Sequence, residues 1–167
     1  MSKAFQRESD FEELPELPRA SASLAPGVKN FMTTAGAERL RAELRRLADQ
    51  ERPPLVARAA DYPETRGELL ALDQRIRHLR VILDSAEVVP PPGPSETVRF
   101  GSIVTVREPD GTSARYHIVG VDETDVGGEA ISWQSPLARA LLNARLGERV
   151  VFRAPAGKRE IEIVAIA

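Results

Sequence analysis

Residues 66–86 read Arg-Gly-Glu-Leu-Leu-Ala-Leu-Asp-Gln-Arg-Ile-Arg-His-Leu-Arg-Val-Ile-Leu-Asp-Ser-Ala. Within this stretch Leu69, Leu72, Ile76, Leu79, Leu83 and Ala86 stand three, four, three, four and three residues apart. That spacing is a heptad seam: it lines one stripe of a helix with apolar side chains, and such a stripe requires a partner. The partner lies upstream. From Thr34, an N-cap candidate, Leu40, Leu44 and Leu47 recur at helical spacing with charged residues between them. Pro53 and Pro54 interrupt this first arm. A proline lacks the backbone donor and its ring clashes with the carbonyl four residues back, so a kink or local break is expected there. Leu55, Val56 and Ala59 then resume the apolar face, and the turn between the arms falls within Asp61-Tyr62-Pro63-Glu64-Thr65-Arg66-Gly67. Two arms with so short a connection should pack antiparallel, each covering the stripe that the other cannot bury alone.

Downstream of the seam, Pro90-Pro91-Pro92-Gly93-Pro94 forbids continued helix and favours a stiff extended spacer. The expected organisation is an antiparallel coiled-coil hairpin over residues 32–87, a proline-rich linker over 88–96 and a second domain over 97–167. Past the linker the apolar period changes to two. Val98, Phe100, Ile103–Val106, Tyr116–Val119 and Ala130–Trp133 read as strands, with turns at Pro109-Asp110-Gly111 and Gly127-Gly128. Ser135 followed by Pro136 forms an N-cap and first-residue pair for a short helix running to about Arg145, closed by Gly147. Strands at 149–153 and 159–166 flank the Pro155-Ala156-Gly157 turn. The fold class is α+β, a helical hairpin joined to a mostly antiparallel sheet with one short helix.

Residues 1–31 contain Glu8, Asp10, Glu12, Glu13 and Glu16, three prolines and few large apolar groups. A segment of that composition cannot bury enough surface to offset its ordering entropy, so it is expected to be a disordered acidic tail. Phe5, Phe11 and Leu14 are the groups in it that could serve recognition.

Composition removes several function classes. With no cysteine there are no disulfides, thiol nucleophiles or thiolate metal sites, and two histidines, His78 and His117, are too few for most zinc sites. A net charge of −2, from 25 acids and 23 bases, supplies no overall basic field for a nucleic-acid backbone. No apolar run is long enough for a membrane span, and the N-terminus lacks the order of a signal peptide. A cytoplasmic location is expected. No glycine-rich phosphate loop, nucleophile elbow or Ser-His-Asp set is present.

The run Ser135-Pro136-Leu137-Ala138-Arg139-Ala140-Leu141-Leu142, then Leu146-Gly147-Glu148 and Ala154-Pro155-Ala156-Gly157, resembles the C-terminal domain of the bacterial Gre factors. Phe100-Gly101 and Ile118-Val119-Gly120 fit the same pattern, and with the hairpin the resemblance covers residues 32–167. It implies an FKBP-like C-terminal domain that docks on RNA polymerase at the mouth of the secondary channel, while the hairpin enters the channel and modulates elongation. The docking residues it implies are Trp133, Gln134, Ser135, Pro136 and Arg139. Gln134 stands where cleavage-stimulating members often carry an acid, and Trp133 could equally pack in the core.

In cleavage-stimulating members, two tip carboxylates help the polymerase hold a second Mg²⁺ and its attacking water, because two metals stabilise both the attacking and the leaving oxygen. Asp61 and Glu64 keep that Asp-x-x-Glu spacing, but the residues around them depart from the family's tip motif. Each arm is also about six residues short of the family pattern, which at about 1.5 Å per helical residue removes roughly 9 Å of reach. Cleavage stimulation is therefore expected to be weak or lost, or replaced by inhibition through occupancy of the channel. Asp61 and Glu64 also read as ordinary cap and loop residues.

The resemblance implies an accessory factor with no active site or cofactor of its own beyond Mg²⁺ shared with the polymerase; pairing of the seam within the chain makes a monomer the expectation, and the charge balance gives no expectation of direct, sequence-specific nucleic-acid binding. Three alternatives have different signatures. A protein resembling the regulator of nucleoside diphosphate kinase would share the short hairpin. A peptidyl-prolyl isomerase would need an aromatic-lined pocket that one tryptophan and few other aromatic residues supply poorly. A coiled-coil dimer would use the 69–86 seam between chains.

Overall fold

The computed structural model describes residue 24, residues 27–124 and residues 128–167, so Phe5, Phe11 and Leu14 of the expected tail lie outside the described residues. The hairpin begins with a strand that the sequence pattern did not reveal. Strand β1, Asn30–Thr33, pairs in parallel with β2, Ala86–Val89, in register Asn30↔Ala86 to Thr33↔Val89. The tail boundary drawn at residue 31 is corrected accordingly, since Asn30 and Phe31 are part of this ladder, and Val88 and Val89 belong to β2 and not to the linker. Four residues carry too little periodicity to identify a strand, and the partner that makes them one lies across the whole hairpin.

Helix α1, Thr34–Arg45, is capped by Thr33, whose hydroxyl accepts a hydrogen bond from the Gly36 amide at 3.0 Å. Thr34, expected as the cap, is the first helical residue. The break expected at the proline pair takes the form of a π-helical stretch, Arg46–Glu51, ahead of α2, Arg52–Asp61. The Arg52 amide donates to the Leu47 carbonyl, five residues back instead of four. This wider turn meets the demand of Pro53 and Pro54, which can donate no α-helical bond and whose rings crowd the preceding turn's carbonyls.

A 3₁₀ turn, Pro63–Thr65, leads into α3, Arg66–Ser85, which at about 1.5 Å per residue is roughly 30 Å long. The arms close on a core of Met32, Ala37, Leu40, Leu47, Ile76, Leu79 and Ile82, bordered by Leu44, Ala48, Leu72, Leu83 and Ala86. Leu55 is half-buried and Ala59 buried, but Val56 is exposed, so it does not continue the apolar face. Between the arms, Arg52 Nε donates to Asp73 at 2.7 Å and Arg75 Nε donates to Glu43 at 2.8 Å.

Strands β3 (Ile103–Arg107), β4 (Ser113–Val119), β5 (Ala130–Ser132), β6 (Arg149–Ala154) and β7 (Gly157–Ile166) form a five-stranded sheet in the order β5-β4-β3-β7-β6. It is antiparallel except for the β4–β5 pair, which runs parallel. Val98 and Phe100 lie outside these strands; Val98 is instead a fully buried core residue whose backbone pairs with Asn143 and Ala144. Helix α4, Pro136–Leu141, stops short of Arg145, and Asn143 takes a left-handed φ of 67° just beyond its end. It seats Ala138 and Leu141 on Val104, Val106, Ile118, Val150, Ile161 and Ile163 of the sheet core. Among the described residues no helix is long and apolar enough to cross a membrane.

Candidate functional site

At the far end of the hairpin, the chain reverses through a compact, self-bonded turn. Tyr62 donates its amide to the Arg58 carbonyl at 2.8 Å and accepts from both the amide and the hydroxyl of Thr65, at 3.0 and 2.7 Å. Thr65 is buried under this turn. Around it Asp61, the last residue of α2, Tyr62 and Glu64 are exposed, and Leu70 on the first turns of α3 is more than half exposed. The turn therefore presents two carboxylates and an aromatic ring on a stiff end. Mg²⁺ takes about six oxygen ligands in near-octahedral geometry. Among the described residues no three His, Cys, Asp or Glu side chains group to hold an ion, so Asp61 and Glu64 can supply at most a minority of one coordination sphere.

At the other end, the residues around Ser135 are held by short-range bonds that the sequence specifies. Ser135 is extended, with φ −62° and ψ 151°, and its hydroxyl accepts from the Ala138 amide at 3.1 Å while Pro136 occupies the first turn. Ser132 tightens the approach, its hydroxyl accepting from the Gln134 amide and its carbonyl from the Ser135 amide. Pro136 and Arg139 face solvent and Gln134 is half-buried. Trp133 is placed differently. Its ring meets Phe31 edge-on at 5.4 Å, and Phe31 lies 5.9 Å from Phe100, so the indole joins strand β1 of the hairpin to the sheet domain. Its indole nitrogen is buried with no hydrogen-bond partner among the described residues.

Beside this aromatic trio lies a residue that sequence reasoning missed. Glu123, 4% exposed, sits in the loop after β4 and reaches across to the root of the hairpin. One carboxylate oxygen accepts from the Thr33 amide and the Gly120 amide, both at 2.8 Å. The other accepts from the Thr33 hydroxyl, the same group that caps α1. A buried carboxylate is tolerable only when its lone pairs are met in this way. Two glycines make room for it. A Cβ on Gly36 would fall 1.7 Å from a Glu123 oxygen, and one on Gly120 would fall 2.3 Å from the Phe31 carbonyl. A glycine in the first turn of a helix, against propensity, was the one local signal of a close approach.

Comparisons with known proteins cover both parts of this architecture. The family profile for the C-terminal domain of the transcription elongation factors GreA and GreB matches residues 93–167. The transcription elongation factor GreB of Neisseria meningitidis serogroup B is 38% identical over 152 residues, covering 83% of this chain and 93% of that protein. The chain belongs to the GreA/GreB family of transcription elongation factors. GreB of Pseudomonas aeruginosa is 38% identical over 149 residues, with 81% and 89% coverage, and GreA of Acidiphilium cryptum is 37% identical over 149 residues, with 81% and 95% coverage. Among solved structures, Gfh1, the GreA factor homolog 1 of Thermus thermophilus, aligns at 28% identity over 84% of this chain and 99% of that one, with a TM-score of 0.40. As a GreA/GreB member, the chain carries its hairpin and its sheet domain within the span shared with curated elongation factors.

Proposed function

We propose that this protein binds RNA polymerase in the cytoplasm, docking through an FKBP-like C-terminal domain at the mouth of the secondary channel and inserting its hairpin to modulate elongation. Family membership together with a stiff hairpin that ends in exposed Asp61 and Glu64 is the observation that supports this reading. Gln134, Ser135, Pro136 and Arg139 at the start of α4 form the docking edge. Trp133 acts from behind them, through its contact with Phe31. The factor is a monomer and an accessory protein; RNA cleavage, where it occurs, is carried out by the polymerase active site. Asp61 and Glu64 are the groups this chain would offer to a Mg²⁺ held by the polymerase. The short arms place them back from that position, so the dominant effect is occupancy of the channel, with weak cleavage stimulation.

The test uses purified backtracked transcription complexes, with the wild-type protein and with Asp61→Ala and Glu64→Ala. Binding to polymerase together with little acceleration of RNA shortening is the expected result. Strong acceleration that both substitutions abolish would overturn the short-reach reading. Failure to capture polymerase at physiological salt would overturn the docking itself.

A further inference from the structure

The geometry points to Glu123 as a positioning residue that sets the direction in which the hairpin leaves the sheet domain, and hence where its tip arrives. This rests on the polymerase-docking reading for its consequence, but its structural content stands apart from it. The hairpin grows from Thr33, which is at once the last residue of β1 and the cap of α1. Glu123 holds that single residue by both its amide and its hydroxyl while anchoring itself on Gly120 of its own domain. The grip is at the hinge end of a lever roughly 30 Å long, so a small rotation there is a large displacement at Asp61 and Glu64.

Among the described residues, few other contacts join the hairpin root to the sheet domain. Two clefts of about 290 and 300 Å³ border Thr33, Ala35 and His117, the first also lined by Pro91 and the second by Gly36, Arg39 and Glu123 itself. A further brace among the described residues is the trio of Phe31, Phe100 and Trp133, an apolar contact that resists separation but is less directional than hydrogen bonds. Arg39 adds a long bond, 3.5 Å, to the Glu123 carbonyl.

The absence of native cysteine allows a direct measurement. Cysteines introduced at Gly67 near the tip and at exposed Lys158 on β7 carry spin labels, and the label-to-label distance is read by pulsed electron resonance in the full chain. The wild-type chain should give one narrow distance distribution. Glu123→Ala, which removes every acceptor, should broaden it. Glu123→Asp should also broaden it, since an acid one methylene shorter can still close the Gly120 turn but cannot reach Thr33. Glu123→Gln keeps the length and an acceptor oxygen for the two amides, and should stay narrow. Emission from Trp133, the only tryptophan, should shift to the red in the first two variants as its contact with Phe31 loosens.

On polymerase, Glu123→Ala should still bind through the sheet domain, while it loses most of its effect on elongation at saturation, because a hairpin no longer held in one direction spends only part of its time in the channel. A distribution as narrow as wild type in Glu123→Ala or Glu123→Asp, with hairpin helicity intact by circular dichroism, would overturn the inference. If Glu123→Ala does not fold, Glu123→Asp decides it. Because the distances are read without polymerase, failure of the docking reading would leave this result standing on its own.

Discussion

Replacing Gly36 by alanine should destabilise this protein even though alanine is the better helix former. By intrinsic propensity the change in α1 is worth up to about 1 kcal/mol in favour of alanine. The structure opposes it. The three atoms nearest the new Cβ all belong to Glu123, at 1.7, 2.4 and 2.8 Å, so the carboxylate must leave its place. Its departure strands the Thr33 and Gly120 amides and the Thr33 hydroxyl in a buried site. Hydrogen bonds to a charged acceptor contribute about 1.5–3 kcal/mol each, and the flanking clefts let water recover part of that, so a loss of about 3–4 kcal/mol is reasonable. The net expectation for Gly36→Ala is a destabilisation of about 2–3 kcal/mol. In a Glu123→Ala background the obstacle is gone, and the same substitution should be neutral or stabilising by up to about 1 kcal/mol. The coupling between the two positions should therefore reach about 3 kcal/mol, at the upper end of what contacting residues show. Urea unfolding of the four proteins of the cycle, followed by Trp133 emission and by helical circular dichroism, measures it. A Gly36→Ala protein as stable as wild type, or an equal penalty in both backgrounds, would refute the reasoning, since either result means the carboxylate does not occupy the space beside Gly36.

Ser135→Ala removes the hydroxyl that caps α4, and should cost about 1 kcal/mol in the denaturant stability of the sheet domain, with Ser135→Asp restoring most of it. The acid side of the stability profile carries a second expectation. The hydrogen bond from Arg52 holds the Asp73 carboxyl below its ordinary value, so its contribution is present above the usual aspartate range near pH 4 and disappears as pH falls through the lowered folded value. Thermal melting of Asp73→Asn against pH should lack this component, and about 1 M salt should shrink the difference between the two proteins at neutral pH because both side chains are exposed enough to be screened.

What could be read along the chain was whatever is specified by neighbours. The seam from Leu72 to Ala86, the arm from Leu40 to Leu47, the turn at residues 61–67 and the Ser135 cap are set by nearby residues, where periodicity, proline and hydroxyl side chains act locally; Leu69 lies outside the hairpin core, and Ile82, off the expected seam, is buried in it. The break at Pro53-Pro54 was foreseeable for the same reason. Its π-helical form was not, because it also depends on keeping Leu47 buried against the second arm.

Only the tertiary structure decided the rest. The parallel pairing of Asn30–Thr33 with Ala86–Val89 joins short segments whose own patterns are weak, and although β4 and β5 are legible as strands, no local pattern sets their parallel pairing. The same is true of Trp133, whose neighbour Phe31 comes from the other unit. Nothing in the sequence sets Glu123 apart from other acids, and it is a buried joint because folding brings to it Thr33, 90 residues away, in a space that Gly36 and Gly120 leave open. A charge in a loop costs nothing to place in solvent, and no local pattern marks the one that a distant strand will cover. That burial is settled by which surfaces meet, and the meeting is a property of the whole chain.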